Sequence, residues 1–216
     1  MNIEQSVKIA VINYGMGNLR SVCRALETTG ARVSVIDNPN DAEKFQALVF
    51  PGQGAISKTM YYLKSKGFNH TIKNWIADNR PYFGVCLGMQ ALFDYSEEGK
   101  TYGLGIFPGV VKKFSTNFIY KVPHMGWNTV KFLNPIDNQK LLEGIVDKPQ
   151  FYFVHSYYIK PEDPSIVWGK TQYSFSFTSA IRKGNTIATQ FHPEKSQSQG
   201  LQLYDNFVKM CYEYWY

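Results

Sequence analysis

The stretch Gly84-Val85-Cys86-Leu87-Gly88-Met89-Gln90 decides the fold of this chain. An apolar strand, Tyr82 to Val85, runs into a cysteine that has a glycine two positions away on either side. This spacing is typical of a nucleophile elbow, a strained strand-to-helix turn that leaves no room for side chains at those two positions. Such a turn predicts the Cys86 sulfur at the carboxyl edge of a sheet, facing a helix start that favours the thiolate. Cys86 is therefore a candidate nucleophile, although a buried structural cysteine would fit the same stretch.

A second stretch, Gln190-Phe191-His192-Pro193-Glu194-Lys195-Ser196, places a histidine two residues before a carboxylate at the end of another predicted strand. A thiol nucleophile needs a base that takes its proton and returns it to the leaving group, and that base needs an orienting group. His192 and Glu194 fit these two roles. The two stretches together predict a catalytic triad of Cys86, His192 and Glu194.

The composition predicts one domain that spans residues 1–216. The hydrophobic fraction of 44% is enough for one sizeable core, and no linker or change of composition divides the chain. The three cysteines, Cys23, Cys86 and Cys211, show no C-x-x-C spacing, so we expect neither a disulfide framework nor a metal site. No apolar run approaches the ~20 residues that span a bilayer, and Met1 to Ser6 are not signal-like, so we expect a cytoplasmic protein without a membrane partner.

The formal net charge is +6, which raises the question of a nucleic-acid partner. The positive residues are spread along the chain without a Lys/Arg block. We therefore interpret them as a solvated basic surface and expect no nucleic-acid partner, while steering toward an acidic protein partner stays open.

Strand and helix patterns alternate from Lys8 to the elbow, which predicts an α/β fold. We expect a three-layer, open, mostly parallel, flavodoxin-like sheet with flanking helices and its functional site at the carboxyl ends of the strands. Beyond Gly103 this rhythm weakens, and shorter strands predict a small antiparallel extension. The expected strands of that extension are Val110 to Phe114, Val130 to Leu133, Phe151 to Val154, Ile166 to Trp168 and Ser174 to Ile181.

The two stretches resemble class I (triad-type) glutamine amidotransferases. Further stretches across essentially the whole chain resemble the glutaminase subunits of imidazole glycerol phosphate synthases. These stretches are Asn13-Tyr14-Gly15-Met16-Gly17-Asn18, Pro51-Gly52-Gln53-Gly54, Lys121-Val122-Pro123-His124-Met125-Gly126-Trp127-Asn128 and Tyr152-Phe153-Val154-His155-Ser156-Tyr157-Tyr158.

The resemblance implies that the chain hydrolyses L-glutamine through a cysteine thioester, with no metal or organic cofactor. It also implies a heterodimer with a (β/α)8-barrel cyclase that receives the ammonia in histidine biosynthesis. By the same resemblance, the oxyanion hole comes from Gly52, Gln53 and Leu87. Residues expected to hold glutamine are Gln90, Glu98, Ser156 and Tyr157, and residues expected to face the barrel are Asn18, Trp127, Tyr152 and Lys195.

One position departs from the resembling family, because Gln53 stands where that family usually has valine, and a longer amide cannot pack as valine does. Alternatives also stay open: a related subunit that supplies ammonia to an amidotransferase for surface-polysaccharide sugars, a stand-alone cysteine hydrolase of this fold, and an inactive binding module. His124 and His155 have no acid partner at useful spacing, so we interpret them as scaffold residues, and His70 lies in a predicted helical surface stretch.

Overall fold

The computed structural model describes residues 6–15, 18–115, 120–133 and 139–216. Its strands are β1 (Lys8–Ile12), β2 (Arg32–Ile36), β3 (Ala47–Gly52), β4 (Tyr82–Cys86), β5 (Phe93–Ser96), β6 (Thr101–Tyr102), β7 (Phe107–Lys113), β8 (His124–Phe132), β9 (Gln150–His155), β10 (Tyr157–Pro161), β11 (Val167–Gln172), β12 (Ser176–Lys183) and β13 (Thr186–Thr189). Its α-helices are α1 (Leu19–Glu27), α2 (Ile56–Lys66), α3 (Phe68–Ala77), α4 (Leu87–Gln90) and α5 (Gln197–Trp215). Met16 and Gly17, within the glycine loop quoted above, lie outside the described residues.

Five parallel strands in the order β2-β1-β3-β4-β13 form the half of the sheet that carries Cys86. The three strands at the centre of the site, β3, β4 and β13, are buried along their whole length. The apolar sequences of β3 and β4 fit strands that are covered on both faces. The predicted α/β class is therefore confirmed.

Helices cover both faces of this sheet and complete three layers. On one face, α1 and α5 contribute Leu26 and Phe207 to a cluster that also contains Val85 of β4. On the other face, α2 and α3 contribute Leu63 and Trp75 to a second cluster. The two hydrophobic clusters lie on opposite sides of the parallel strands, as the alternating sequence pattern predicts.

The antiparallel extension contains the strands β5 to β12, which is more than the sequence indicated. It joins the parallel part where β12 pairs antiparallel with β13, and it continues through β10, β7, β5 and β6. Along this path only the β7–β5 pair is parallel. The sequence patterns missed β10 because only Ser156 separates it from β9. One extended run of chain therefore pairs first with β8 and then with β7 and β12, with no turn residues to mark the change.

The helix after the elbow is a single turn, α4, before the chain leaves for β5. The expected helix start behind the sulfur is present, but four residues align few peptide dipoles, so its partial charge is small. Among the described residues, no helix is both long enough and apolar enough to cross a membrane.

Close packing of glycines holds the elbow in place. Cys86 has φ 53° and ψ −106°, a conformation that L-residues rarely adopt. A Cβ on Gly88 would lie against the carbonyl oxygen of Phe50 in β3, and one on Gly84 would lie 2.8 Å from the carbonyl oxygen of Gly88. The strand before the cysteine, the turn after it and the neighbouring strand therefore approach as closely as their backbones allow.

The substitution Gly88→Ala should destabilise the fold, because the added methyl group meets backbone rather than a movable side chain. We expect a loss of about 1–3 kcal/mol in the free energy of unfolding, typical of an overpacked core. Denaturant titration measures it, with Lys64→Ala on the exposed side of α2 as a control that changes stability by less than about 0.5 kcal/mol. Equal stability of Gly88→Ala and the control would contradict the close-packed elbow.

Candidate active site

The site forms where three neighbouring strands end at one edge of the sheet. Cys86 ends β4, and in the strand register it lies opposite Gly52, the last residue of β3. On the other side of β4, β13 ends at Thr189, and the chain continues into the predicted histidine segment. Because parallel strands point the same way, residues that are far apart in sequence meet beside the Cys86 sulfur.

The structure brings the three predicted triad residues together. His192 Nδ1 lies 2.8 Å from Glu194 Oε1, and the exposed fractions of the two side chains are 2% and 1%. Cys86 and His192 both line one cleft, and the Cys86 side chain acts on the charge of the His192 ring. The His192 backbone is held on both sides, because its N–H donates to the Tyr152 carbonyl oxygen at 2.9 Å and its carbonyl accepts from Ser196 Oγ at 2.6 Å. Glu194 and the two backbone contacts therefore hold the imidazole in a fixed orientation beside the cleft.

Electrostatics in this buried triad favour a protonated histidine. Burial alone lowers the pKa of His192, but the Cys86 thiolate charge, its hydrogen bond and the Glu194 carboxylate outweigh it and raise that pKa to about 10. His192 is therefore suited to accept the proton of the Cys86 thiol and to hold it as an imidazolium. That proton transfer would leave a nucleophilic sulfur and a proton donor side by side.

Gln190 is a site residue that the sequence interpretation missed. Its side chain is fully buried, its Nε2 donates to Cys86 Sγ at 3.4 Å, and its Oε1 accepts from Gln90 Nε2 at 3.0 Å. The available signal was strand alternation, because residues two apart on an extended chain share a face, and Gln190 precedes His192 by two. Gln190 thus adds a neutral donor to the surroundings of the sulfur.

A cleft of ≈ 470 Å³ opens beside the sulfur, a size that suits a small molecule. The four residues predicted to hold glutamine all line it: Gln90, Glu98, Ser156 and Tyr157. Gln90 Nε2 donates to the Tyr157 carbonyl at 3.0 Å as well as to Gln190, so both its hydrogens are used. Its amide oxygen is the group left for a ligand. Glu98 accepts from the Ile56 N–H at 3.1 Å and brings a negative charge to the wall of the cleft.

The predicted oxyanion residues also line the cleft, but the peptide group of Gln53 is occupied. The Gln53 N–H donates to the Tyr14 hydroxyl at 3.0 Å, and the same hydroxyl donates to the Gln53 carbonyl oxygen at 3.3 Å. The buried Tyr14 side chain therefore holds the backbone of Gln53 on both sides. Leu87 follows the nucleophile directly, and Gly52 ends β3 beside it. In this conformation the Gln53 N–H therefore points to Tyr14 rather than to a substrate oxygen.

Three of the four residues predicted to face a partner form one surface cluster. Trp127 and Tyr152 are cross-strand neighbours whose rings make an edge contact at 6.2 Å, and Lys195 Nζ lies 5.8 Å from the Tyr152 ring. Trp127 is 46% exposed, while Lys195 also lines the cleft. The fourth residue, Asn18, caps α1 by accepting from the Ser21 N–H at 3.4 Å.

Comparison with known proteins gives one family. Residues 10–211 match the family described as "Glutamine amidotransferase class-I". The chain is 45% identical over 201 residues to the imidazole glycerol phosphate synthase subunit HisH of Gloeothece citriformis, covering 93% of this chain and 94% of that protein. It is 46% identical over 212 residues to the HisH subunit of Thiobacillus denitrificans, covering 94% and 91% of the two chains.

Solved structures with the same fold are more distant in sequence. A putative GMP synthase protein from Thermoplasma acidophilum superposes with a TM-score of 0.72 at 20% identity, covering 97% of this chain and 96% of that one. The structure of PurLQS from Thermotoga maritima includes a chain with a TM-score of 0.72 at 16% identity, covering 97% and 99% of the two chains. These likenesses support the fold.

The raised pKa of His192 predicts a pH dependence of stability. The folded protein binds the His192 proton more tightly than the unfolded chain, in which the pKa has its ordinary value of 6.5. The protonated ring therefore contributes fully to the free energy of unfolding below pH 6.5, and this contribution is lost as the pH rises through about 10. Nuclear magnetic resonance of the labelled imidazole should show the charged form at pH 8, and Glu194→Gln should shift its titration to lower pH. A His192 that titrates near its ordinary value in the native protein would contradict the raised pKa of this ring.

Proposed function

The chain belongs to the class-I glutamine amidotransferases, in the family of the imidazole glycerol phosphate synthase subunit HisH, and from this premise we propose its reaction and its partner. The proposed reaction is hydrolysis of L-glutamine to glutamate and ammonia. The ammonia passes to a (β/α)8-barrel cyclase that makes imidazole glycerol phosphate and aminoimidazole carboxamide ribotide in histidine biosynthesis. The observation that carries the proposal is the strained Cys86 beside the buried His192–Glu194 pair.

The first half of the reaction begins when the Cys86 thiol gives its proton to His192. The Cys86 thiolate attacks the side-chain amide carbon of glutamine, and the carbonyl electrons move to oxygen. When that intermediate collapses, the carbon–nitrogen bond breaks and the His192 imidazolium gives its proton to the departing nitrogen, which leaves as ammonia. Glu194 holds the ring by its Nδ1, so the other ring nitrogen is the one that serves the reaction. The product on the enzyme is a glutamyl thioester.

The second half returns the site to its starting state. His192, now neutral, takes a proton from a water molecule as the water oxygen attacks the thioester carbon. The carbon–sulfur bond then breaks, which releases glutamate and restores the thiolate and the imidazolium. In the cleft, the Glu98 carboxylate pairs with the ammonium group of glutamine, the Gln90 amide oxygen accepts from the substrate, and the Ser156–Tyr157 segment contacts its polar end. None of these steps requires a metal or an organic cofactor.

The Gln53 peptide suggests how a partner controls the rate. An oxyanion hole needs N–H groups that already point at the developing charge, and loss of one donor costs on the order of 10²–10³ in rate. The Tyr14 hydroxyl holds the Gln53 peptide away from that role, while Gly54 at φ 92° gives the loop freedom to turn. A partner that favours the turned peptide would shift the population toward the active form. Leu87 and the Gly52–Gln53 peptide would then stabilise the oxyanion together.

The cluster of Trp127, Tyr152 and Lys195 is the proposed docking surface for the barrel, together with Asn18 at the start of α1. Lys195 belongs both to the cluster and to the wall of the cleft, so a partner seated there would cover the place where ammonia is released.

We also propose that residues 1–216 form a single domain that acts in the cytoplasm. If glutamine hydrolysis proceeds at full rate without any barrel, the stand-alone hydrolase is the better assignment. Ammonia transfer to a sugar-modifying synthase instead would support the surface-polysaccharide role.

Cys86→Ala should reduce glutamine hydrolysis by more than about 10³, because the members of a catalytic triad fail together. The cyclase reaction with added ammonia should be unchanged, since that chemistry takes place on the partner. Parallel assays of the purified complex with glutamine and with ammonium salt measure both activities. Cys23→Ala in α1 is the matched control and should keep both. A folded Cys86→Ala complex that loses both activities would argue against this division of labour.

Tyr14→Phe should raise the glutaminase rate of the isolated chain. The change removes the hydroxyl that holds the Gln53 peptide, and one buried hydrogen bond corresponds to about tenfold in population. Glutamate release is measured without and with the barrel and its ligand. Tyr61→Phe, at an exposed position of α2, is the control with no expected effect. An unchanged basal rate in Tyr14→Phe, or a wild-type chain already fully active alone, would show that this peptide is not the switch.

A further inference from the structure

A continuous chain of hydrogen bonds runs from the cluster-bearing strand β8 to the Tyr157 carbonyl oxygen. Asn128 Nδ2 lies 3.2 Å from His124 Nε2, and His124 Nδ1 lies 2.9 Å from His155 Nε2. His155 Nδ1 lies 2.7 Å from the Tyr157 carbonyl oxygen. That oxygen also accepts from Gln90, which leads through Gln190 to the Cys86 sulfur. Tyr157 is therefore a junction between the two histidines and the cleft.

The two ends of this hydrogen-bond network determine which nitrogen of each histidine ring carries the hydrogen. A carbonyl oxygen only accepts, so His155 Nδ1 carries a hydrogen and, in the neutral ring, its Nε2 accepts. His124 Nδ1 must then donate, which leaves its Nε2 to accept from Asn128. The Asn128 amide is fixed independently, because its oxygen accepts from the Thr129 N–H at 2.8 Å and its nitrogen donates to the Gln172 carbonyl at 2.9 Å. All links are satisfied with both rings neutral and protonated on Nδ1.

The surroundings keep both rings neutral and in place. His124 and His155 are 3% and 5% exposed. The His124 ring stacks between Phe153 and Tyr173, at centroid distances of 4.8 and 4.1 Å, and the His155 ring packs against Phe114. Burial lowers the pKa of His124 to about 4 and that of His155 to about 3, which agrees with neutral rings at physiological pH.

We propose that His124 and His155 are positioning residues that hold the Tyr157 carbonyl and, through it, the Gln90 amide in the orientation that glutamine binding requires. The inference rests on the proposed glutaminase function and assigns these histidines no contact with the reacting atoms. Gln90 offers its oxygen to the cleft only because the Tyr157 and Gln190 oxygens take both its hydrogens. If the Tyr157 carbonyl moves, the Gln90 amide can turn and present the wrong group.

The hydrogen-bond network of Asn128, His124 and His155 lies on β8 and β9, the two strands that also carry Trp127 and Tyr152 of the docking cluster. In the register of β8 and β9, His124 lies opposite His155, and three residues further along Trp127 lies opposite Tyr152. Asn128, the first member of the network, follows Trp127 directly. The same strand pair thus supports the glutamine cleft on its buried side and the proposed barrel contact on its exposed side.

The protonation states are tested on the unaltered protein in complex with its barrel. Nitrogen-15 correlation spectra of labelled histidines distinguish a ring protonated on Nδ1 from one protonated on Nε2. We expect Nδ1 protonation for both His124 and His155, with no charged form at pH 7. A hydrogen on Nε2 of either ring would be incompatible with this hydrogen-bond network and would overturn the proposal. The measurement uses the unaltered protein, so it does not depend on the folding of a variant.

The positioning role is tested with His124→Leu, His124→Asn and the surface control His70→Leu. His124→Leu should raise KM for glutamine about tenfold, the scale of one lost buried hydrogen bond, with a much smaller change in kcat. His124→Asn should recover most of that loss, because its amide nitrogen lies near the former Nδ1 and can still donate to His155. His70→Leu on α3 should match the unaltered chain.

A merely structural role would give a different pattern. In that case kcat would fall while KM for glutamine stays unchanged. Alternatively, His124→Asn would lose as much activity as His124→Leu, and both losses would follow the melting temperatures of the variants. Either result would overturn the proposal. Alkylation of Cys86 by iodoacetamide separates this from failure of the proposed function. Alkylation depends on the triad and not on glutamine binding, so the His124→Leu variant should be alkylated at the same rate as the unaltered protein. A Cys86 that is unreactive in the unaltered chain would instead count against the glutaminase reaction.

Discussion

The positive φ of Cys86 is the constraint on which the rest of the structure depends. A non-glycine residue in such a conformation costs of order 1–3 kcal/mol and persists only where its surroundings hold it. Here β3 and β13 pair with the strand on both sides, and glycines at 84 and 88 let backbones meet without side chains between them. Buried neighbouring strands thus support the strain, and the Cys86 side chain lies at the wall of the cleft.

Buried polar groups around the sulfur are organised by carbonyl oxygens rather than by charged partners alone. The Tyr152 carbonyl and Ser196 hydroxyl fix the His192 backbone, and the Tyr157 carbonyl fixes Gln90. A carbonyl oxygen has one role only, so each of these contacts determines which way its partner points. The site is therefore oriented by the backbone of β9 and β10 and by the segment after β13, while the ionic Cys86–His192–Glu194 unit supplies the chemistry.

The sequence predicts the parts of this site that depend on local spacing. The elbow and the His192–Glu194 pair each occupy a few consecutive residues, and alternation of strands and helices gives the parallel half of the sheet. It does not predict Gln190, Tyr14 or the His124–His155 pair, because their partners lie 31 to 104 residues away and depend on how strands pair. The single-turn length of α4 also escaped prediction, since no breaker follows Gln90 and tertiary pairing of β5 ends the helix. Strand alternation places Gln190 on the same face as His192, but that spacing does not show that the Gln190 amide reaches the Cys86 sulfur.

The most direct measurement is the site of labelling by a chloroketone analogue of glutamine, added below one equivalent and mapped by peptide mass spectrometry. Cys211 is fully buried, burial raises the pKa of both the Cys211 and the Cys23 thiols, and neither cysteine lines the cleft. We predict that the label goes to Cys86 and that excess glutamine protects it. Equal labelling of the three cysteines, or labelling of Cys23 first, would contradict the assignment of Cys86 as the nucleophile of a glutamine site.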